Sequence, residues 1–545
     1  MEKISSSSDN YQNSFQVNIL VCFFVFASFF IYFILISWKT GLLTSGFRYF
    51  IDDHQVPNIY HDLGKIGYLE TLLRWMEQES TVSRFRPFYP FQIVLLTQLF
   101  GLNSTLWFLY INLLASLSSL NLFIFSRLIG FPFVASMLLP ILTFFGWQSE
   151  IWIRPLLPDA YAMFFLSFCV VFSGLSVYDR KHSGFYKIFL VVFSLPMSLS
   201  KESYIIFIPT LMFLQVWIWS YFNQKSFSQS IKENYLVLFS LSLIFTAELG
   251  YILFFLGTGG TEYAGVDKNS FDLLALFLSA QKVLFHGYFI VALLLLTLLL
   301  VIAKIKGDSL LNLFREIFPF FLLLCLALVP HIFLYSKSGI VASFYLYPAI
   351  LMVCLFLVKI LSLFELKYKF FYIFAIALVF FSVLAKLPAV KASYAINANE
   401  AYNTNSLIKK LEVCTVLQDQ ILVVINPRIR YEASFALKTV LDKVYNRKNL
   451  VVATYGLDKT NFHSTILEKD ERAWMFLDPE EVHAKYNNKT ILNIKKKDDI
   501  RAIVIFDNLD HEFEKTNSDW FNPRKYEFNA FQVSYYPVNL YCRKS

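Results

Sequence analysis

A chain of 545 residues in which 56% are hydrophobic and only 16% charged is too apolar for an ordinary soluble protein. Its 60 phenylalanines and positive mean hydropathy place it in the membrane class. The formal charge of +8 calls for no nucleic-acid partner, because cytoplasmic loops of membrane proteins are enriched in Lys and Arg.

Spanning a hydrocarbon core takes roughly 20 largely apolar residues. The N-terminal MEKISSSSDNYQNS lacks the basic region and small-residue cleavage site of a signal peptide, so Val17 to Trp38 is expected to stay as a first helix. Further spans are expected at Leu106 to Phe125, Phe131 to Trp147, Ala160 to Tyr178, Phe185 to Ser198 and Tyr204 to Tyr221. They continue at Tyr235 to Leu256, Leu284 to Lys304, Ile317 to Leu334, Val341 to Leu361 and Phe370 to Lys386. That is a count of about eleven, with Phe88 to Phe100 a further short or re-entrant helix.

A cytoplasmic N-terminus puts Arg127, Arg180, Lys181, Lys187, Lys225, Lys232, Lys304, Lys306, Arg315, Lys359, Lys367 and Lys369 inside. Residues 1-387 then form a transmembrane domain with a first outer loop over 39-90, and residues 388-545 an extracytoplasmic domain. The plasma (inner) membrane is the expected location. In the tail, Ile421 to Ile425, Leu450 to Ala453 and Ile503 to Phe506 predict strands and Glu432 to Tyr445 an amphipathic helix, a small α/β domain. No Gly-rich phosphate loop follows any of these strands, so packing or acceptor recognition is the expected role. Cys22, Cys169, Cys325 and Cys354 lie in apolar segments without metal-ligand spacing, whereas Cys414 and Cys542 could pair if the tail lies outside.

Four outer charge clusters stand out. Asp52 and Asp53 are adjacent carboxylates near the membrane surface, where mutual repulsion lets one hold its proton and act as a base. Such a pair is also what a solvated turn contains. Arg84 and Arg86, closing the loop before Pro87, offer guanidinium forks suited to phosphate, or an ordinary contact with lipid head groups. In Ile153-Arg154-Pro155-Leu156-Leu157-Pro158-Asp159, Asp159 is a functional acid or a helix-start residue. Lys201 and Glu202, between two spans with almost no loop, either pair with each other or meet a phosphate and a sugar hydroxyl. His331, Lys337 and Tyr345 could complete a basic pocket, or serve as surface anchors.

With Asp52-Asp53, Arg84-Phe85-Arg86-Pro87, Pro158-Asp159 and Ser200-Lys201-Glu202-Ser203, the chain resembles the GT-C superfamily of membrane glycosyltransferases. The likeness is to the protein mannosyltransferase-like and aminoarabinose transferase-like (family 39-like) group. It covers about the first 220 residues through these motifs and the rest by hydropathy alone. The resemblance implies transfer of a sugar from a polyprenyl-phosphate-type donor to a glycan, lipid or protein acceptor outside the cytoplasm, with inversion. It implies Asp52 or Asp53 as base and Arg84, Arg86, Lys201, His331 and Lys337 around the donor phosphate. Asp159 and Glu202 would position substrate. The pair usual in the group is Asp-Glu, so Asp-Asp leaves open which carboxylate is the base. No cofactor is required by the likeness, and a divalent metal stays open because metal use varies across the superfamily. The alternative is a polytopic transporter or lipid flippase, although no internal two-fold repetition is visible.

Overall fold

The computed structural model describes residues 18–81, 84–256, 273–334, 343–425, 427–447, 450–455, 462–465, 500–518, 521–533 and 536–544. Among them, ten helices are long and apolar enough to cross a membrane. They are Ile19–Lys39, Ser104–Leu128, Pro158–Tyr178, Arg180–Ser200, Glu202–Asn223, Tyr235–Phe255, Phe289–Lys306, Leu310–Leu334, Phe344–Lys367 and Lys369–Cys414. The protein is an integral, multi-pass helical membrane protein.

The span expected over Phe131 to Trp147 takes a different form. Its helix, Phe133–Phe144, has 12 residues. At 1.5 Å per residue it is about 18 Å long, well short of a hydrocarbon core of about 30 Å. A 3-10 turn, Trp147–Trp152, completes the passage. Non-helical backbone at that depth needs its polar groups satisfied by protein. Gln148 does this, its Nε2 donating to the carbonyls of Leu142 at 3.3 Å and Thr143 at 3.0 Å. Gly146 makes room, since a Cβ there would stand 2.2 Å from the Gln148 Oε1. The segment brings the chain back to the face on which the helix Ser104–Leu128 starts. On that face Thr105 donates to the Leu43 carbonyl at 2.8 Å, and Arg154 lies over the Phe344 ring at 5.1 Å.

Ser104–Leu128, Pro158–Tyr178 and Phe344–Lys367 occupy the centre, buried over most of their length, while Ile19–Lys39 and Tyr235–Phe255 turn most of their surface outward. Small and polar residues join the inner helices, as expected where apolar surface gives no preference for protein over lipid. Asn112 donates to Ser37 at 3.3 Å and Asn121 to Ser167 at 3.0 Å. Gln215 accepts from Ser173 at 2.7 Å and donates to Asn234 at 3.1 Å.

The last membrane helix, Lys369–Cys414, has 46 residues and would be about 69 Å long. It continues through Pro388 and past the expected domain limit, standing clear of the membrane as a support for the tail. There, β1 (Gln420–Ile425), β2 (Leu450–Tyr455), β3 (Phe462–Thr465), β4 (Ile500–Phe506), β5 (Tyr526–Val533) and β6 (Tyr536–Arg543) form one sheet in the order β3-β2-β1-β4-β6-β5. β1 runs parallel to β2 and β4, and the remaining pairs are antiparallel. The helix Pro427–Lys443 follows β1 as expected. β3, β5 and β6 are strands beyond the three expected from the sequence.

The sheet is oriented by its contacts with the long helix. Asn403, nearer the membrane, donates to the Gln532 carbonyl at 2.6 Å, while Lys410, farther out, pairs with Glu527 at 2.7 Å. The carboxyl ends of β1 and β4 therefore face the membrane domain. Cys414, at the helix end, is disulfide-bonded to Cys542 of β6 across 128 residues. Closing a chain loop of that size is worth up to about 5 kcal/mol. Cys542→Ser is expected to lower the melting temperature of the tail by that equivalent, read by differential scanning calorimetry, and to make Cys414 alkylable without reductant.

Candidate functional site

The loop after the first helix is tied down from within and from the tail. Gly46, at φ +87°, lies against Asn405, and a Cβ there would stand 2.5 Å from the Asn405 Nδ2. That amide donates to the carbonyl of Phe47 at 2.9 Å. Two residues on, the peptide N–H of Arg48 donates to Asp53 Oδ2 at 2.8 Å. The Arg48 guanidinium donates to Asn397 Oδ1 and forms a buried ion pair with Glu400 at 3.3 Å. A 3-10 turn, Asp52–His54, then carries the two acids. On its flanks the Phe50 ring meets Phe506 at the end of β4, 5.7 Å between centroids, and the His54 ring meets Phe435 at 5.3 Å.

The turn separates the acids. Asp53 is 6% exposed and faces inward to Arg48, with Arg154 also within electrostatic reach. Burial pushes its carboxyl up to about 6, against the pull of Arg48 and its peptide N–H. Asp52 is half-buried and within electrostatic reach of Tyr89.

A second cluster follows. The Arg86 Nε donates to Glu79 at 2.5 Å, and both side chains are buried, at 7% and 8% exposure. Arg86 also lies over the Tyr89 ring at 4.7 Å. Burial opposes its charge, but Glu79 and Glu202 outweigh burial and hold the guanidinium more firmly protonated than usual. The Tyr89 hydroxyl donates to the Leu156 carbonyl at 2.7 Å, joining this cluster to the segment before Asp159. Arg84, half-buried, stands close enough to influence Tyr89.

The third cluster forms where Pro158–Tyr178 begins. Pro158 takes the first turn, where its missing N–H is harmless, and Asp159 follows with 1% exposure. Its Oδ2 is 3.6 Å from Lys201 Nζ, and Tyr204 donates to its carbonyl at 3.2 Å. Lys201 lies over the Tyr345 ring at 5.0 Å. His331 Nε2–H donates to the Tyr345 carbonyl at 2.7 Å. Glu202 stands within electrostatic reach of both Arg86 and Asp159, and its buried Oε1 has no hydrogen-bond partner among the described residues.

Asp52, Asp53, Arg84, Arg86, Asp159, Lys201, Glu202 and His331 thus share one face of the protein and form a chain of electrostatic neighbours. Lys337 lies outside the described residues. The expected phosphate contacts are already engaged: Arg86 by Glu79, Lys201 by Asp159, His331 by a backbone carbonyl. Arg48, Glu79, Asn397 and Glu400 were missed altogether. A signal was present for the last two, which lie three residues apart on one face of a helix running on beyond its apolar stretch. Among the described residues no group of three His, Cys, Asp or Glu could hold a metal ion. No protein-family model and no curated protein matches the chain.

Two outcomes follow from the buried charges. The folded Asp53 value of about 6 lies above the unfolded value near 4, so its contribution to stability is full below about pH 4 and is lost as pH rises through about 6. The difference in thermal stability between wild type and Asp53→Asn, measured in detergent, is expected to change across that window by on the order of 2–3 kcal/mol, in favour of Asn at the higher pH. Arg86→Ala strands Glu79 as a buried charge and is expected to cost about 3–5 kcal/mol. Arg86→Met with Glu79→Gln is expected to recover most of it in the same thermal scan.

Proposed function

We propose that the protein is an inverting glycosyltransferase that takes a sugar from a polyprenyl-phosphate-type donor and transfers it to an acceptor on the extracytoplasmic side. The observation carrying this reading is the convergence on one face of an acidic turn, two arginines of the same loop, and the Asp159–Lys201–Glu202 group from two distant helix starts.

Sidedness is supported by charge. The face opposite the loop collects Arg127, Arg180, Lys181, Lys225, Lys232, Lys304, Lys306, Lys367 and Lys369, as the cytoplasmic face does. The Cys414–Cys542 bond fits a tail outside the cytoplasm, where disulfides persist.

Asp52 is the better placed base, because Asp53 is committed to Arg48 and withdrawn from solvent. In the reaction an acceptor hydroxyl gives its proton to Asp52 as its oxygen attacks the anomeric carbon. A new C–O bond forms there, and the C–O bond to the lipid phosphate breaks with its electron pair leaving on the phosphate. Attack opposite the leaving group inverts the anomeric centre. Arg84, Arg86 and Lys201 answer the charge that develops on the departing phosphate. Glu79 and Asp159 hold two of these cations in the resting site, so the phosphate must displace or share them. That competition favours the transition state, where the phosphate charge is growing, over the bound donor, where it has not yet grown.

Reconstitution in vesicles with a panel of lipid-linked sugars tests the reading. Asp52→Asn is expected to lower transfer about 10²–10⁴-fold with donor binding retained. Full transfer by Asp52→Asn would defeat the base assignment. Movement of intact donor across the vesicle without transfer would favour the transporter or flippase alternative.

A further inference from the structure

The outward extension of Lys369–Cys414 does more than carry the tail. Glu400 and Asn397 project from it into the first loop and both meet Nη1 of the Arg48 guanidinium. Both members of the ion pair are buried, with side chains 8% and 1% exposed. Breaking such a pair is costly because the remaining charge has no water, so the pair fixes where Arg48 sits. Arg48 in turn presents its peptide N–H to Asp53 Oδ2, and Asp53 is the middle of the turn that carries Asp52. The same extension grips the loop again at Asn405. It also packs Val390, Tyr394 and Ala398 against Leu42 and Leu43.

From this continuous chain of contacts we infer that Glu400, Asn397 and Arg48 are positioning residues, through which the tail's supporting helix sets the Asp52–Asp53 turn for reaction. The inference rests on the proposed transferase reading for its kinetic consequence, but its geometric consequence stands apart from that reading. The Arg48 side chain makes no contact of its own with Asp53 through a hydrogen bond, and the donor is backbone. Arg48→Ala therefore keeps the N–H and removes what holds it in place together with the guanidinium's pull on Asp53, whereas Glu400→Ala leaves that charge present and removes only its anchor. Loss of function at Arg48 or Glu400 would report placement of the turn and not loss of a reacting group. Glu150 and Arg154 complete the charged surroundings, paired with each other at 2.6 Å and both within electrostatic reach of Arg48.

The test compares wild type, Arg48→Ala, Glu400→Ala, the double variant and Glu400→Asp in the full-length reconstituted protein. Two readouts are taken on each: transfer kinetics, and labelling of Asp52 and Asp53 by a water-soluble carbodiimide followed by peptide mass spectrometry. Each alanine variant is expected to lower kcat at least tenfold with KM for the lipid donor within twofold, and Glu400→Asp to recover part of it. The double variant is expected to match the worse single, because both residues act through one chain. Asp53 labelling is expected to rise at least threefold in each alanine variant. Unchanged Asp53 labelling would overturn the positioning chain, as would kcat losses that multiply in the double variant. If wild type transfers no sugar from any donor while Asp53 labelling rises as expected, the transferase reading fails and the positioning of the turn stands.

Discussion

A charge enclosed by apolar protein at a membrane surface must have a partner or a proton, and this requirement shapes the loop face of the molecule. Arg48 is met by Glu400, Arg86 by Glu79, Arg154 by Glu150 and Lys201 by Asp159. Each pair joins segments that are separate in sequence or closes a turn within one. Arg48–Glu400 fastens the first loop to the last membrane helix across the whole length of the membrane domain's sequence. Lys201–Asp159 fixes the start of one central helix against the turn between two others. Asp53, which has only a peptide N–H and more distant cations, takes the other course and holds its proton more tightly.

On the transferase reading, the same pairing would make the site responsive to an anion. A cation that is already neutralised contributes little to binding a distant charge, but an arriving phosphate competes with the resident carboxylate for it. Arg86 and Lys201 would then pass from one anion to another without ever standing bare in a poorly solvated site. On the transferase reading, the carboxylates released in the exchange, Glu79 and Asp159, would become free to accept from hydroxyls on the sugar. Glu202, between them, has a buried oxygen ready for such a donor.

Much of the architecture was legible because bilayer crossing demands long apolar runs, and ten such helices stand at or near the expected positions. Phe133–Phe144 departed from expectation because hydropathy records how apolar a stretch is and not whether its backbone stays helical. Gln148 folding back on Leu142 and Thr143 leaves no mark on that scale. At the site, Asp52, Arg84, Asp159 and Lys201 were visible as charges interrupting apolar sequence. Their partners were not, since Arg48–Glu400 spans 352 positions and no local pattern links its members. The difference between Asp52 and Asp53 was hidden for a similar reason, because a single 3-10 turn sends adjacent side chains into different surroundings.

Imaging the reconstituted protein by electron cryomicroscopy with a polyprenyl phosphate carrying a non-transferable sugar bears most directly on how the outer face works. The expected result is phosphate density between Arg84, Arg86 and Lys201 on the loop face, with the anomeric carbon directed toward Asp52. Phosphate bound on the opposite face, beside Lys359 and Lys367, or sugar density remote from the Asp52–His54 turn, would contradict it.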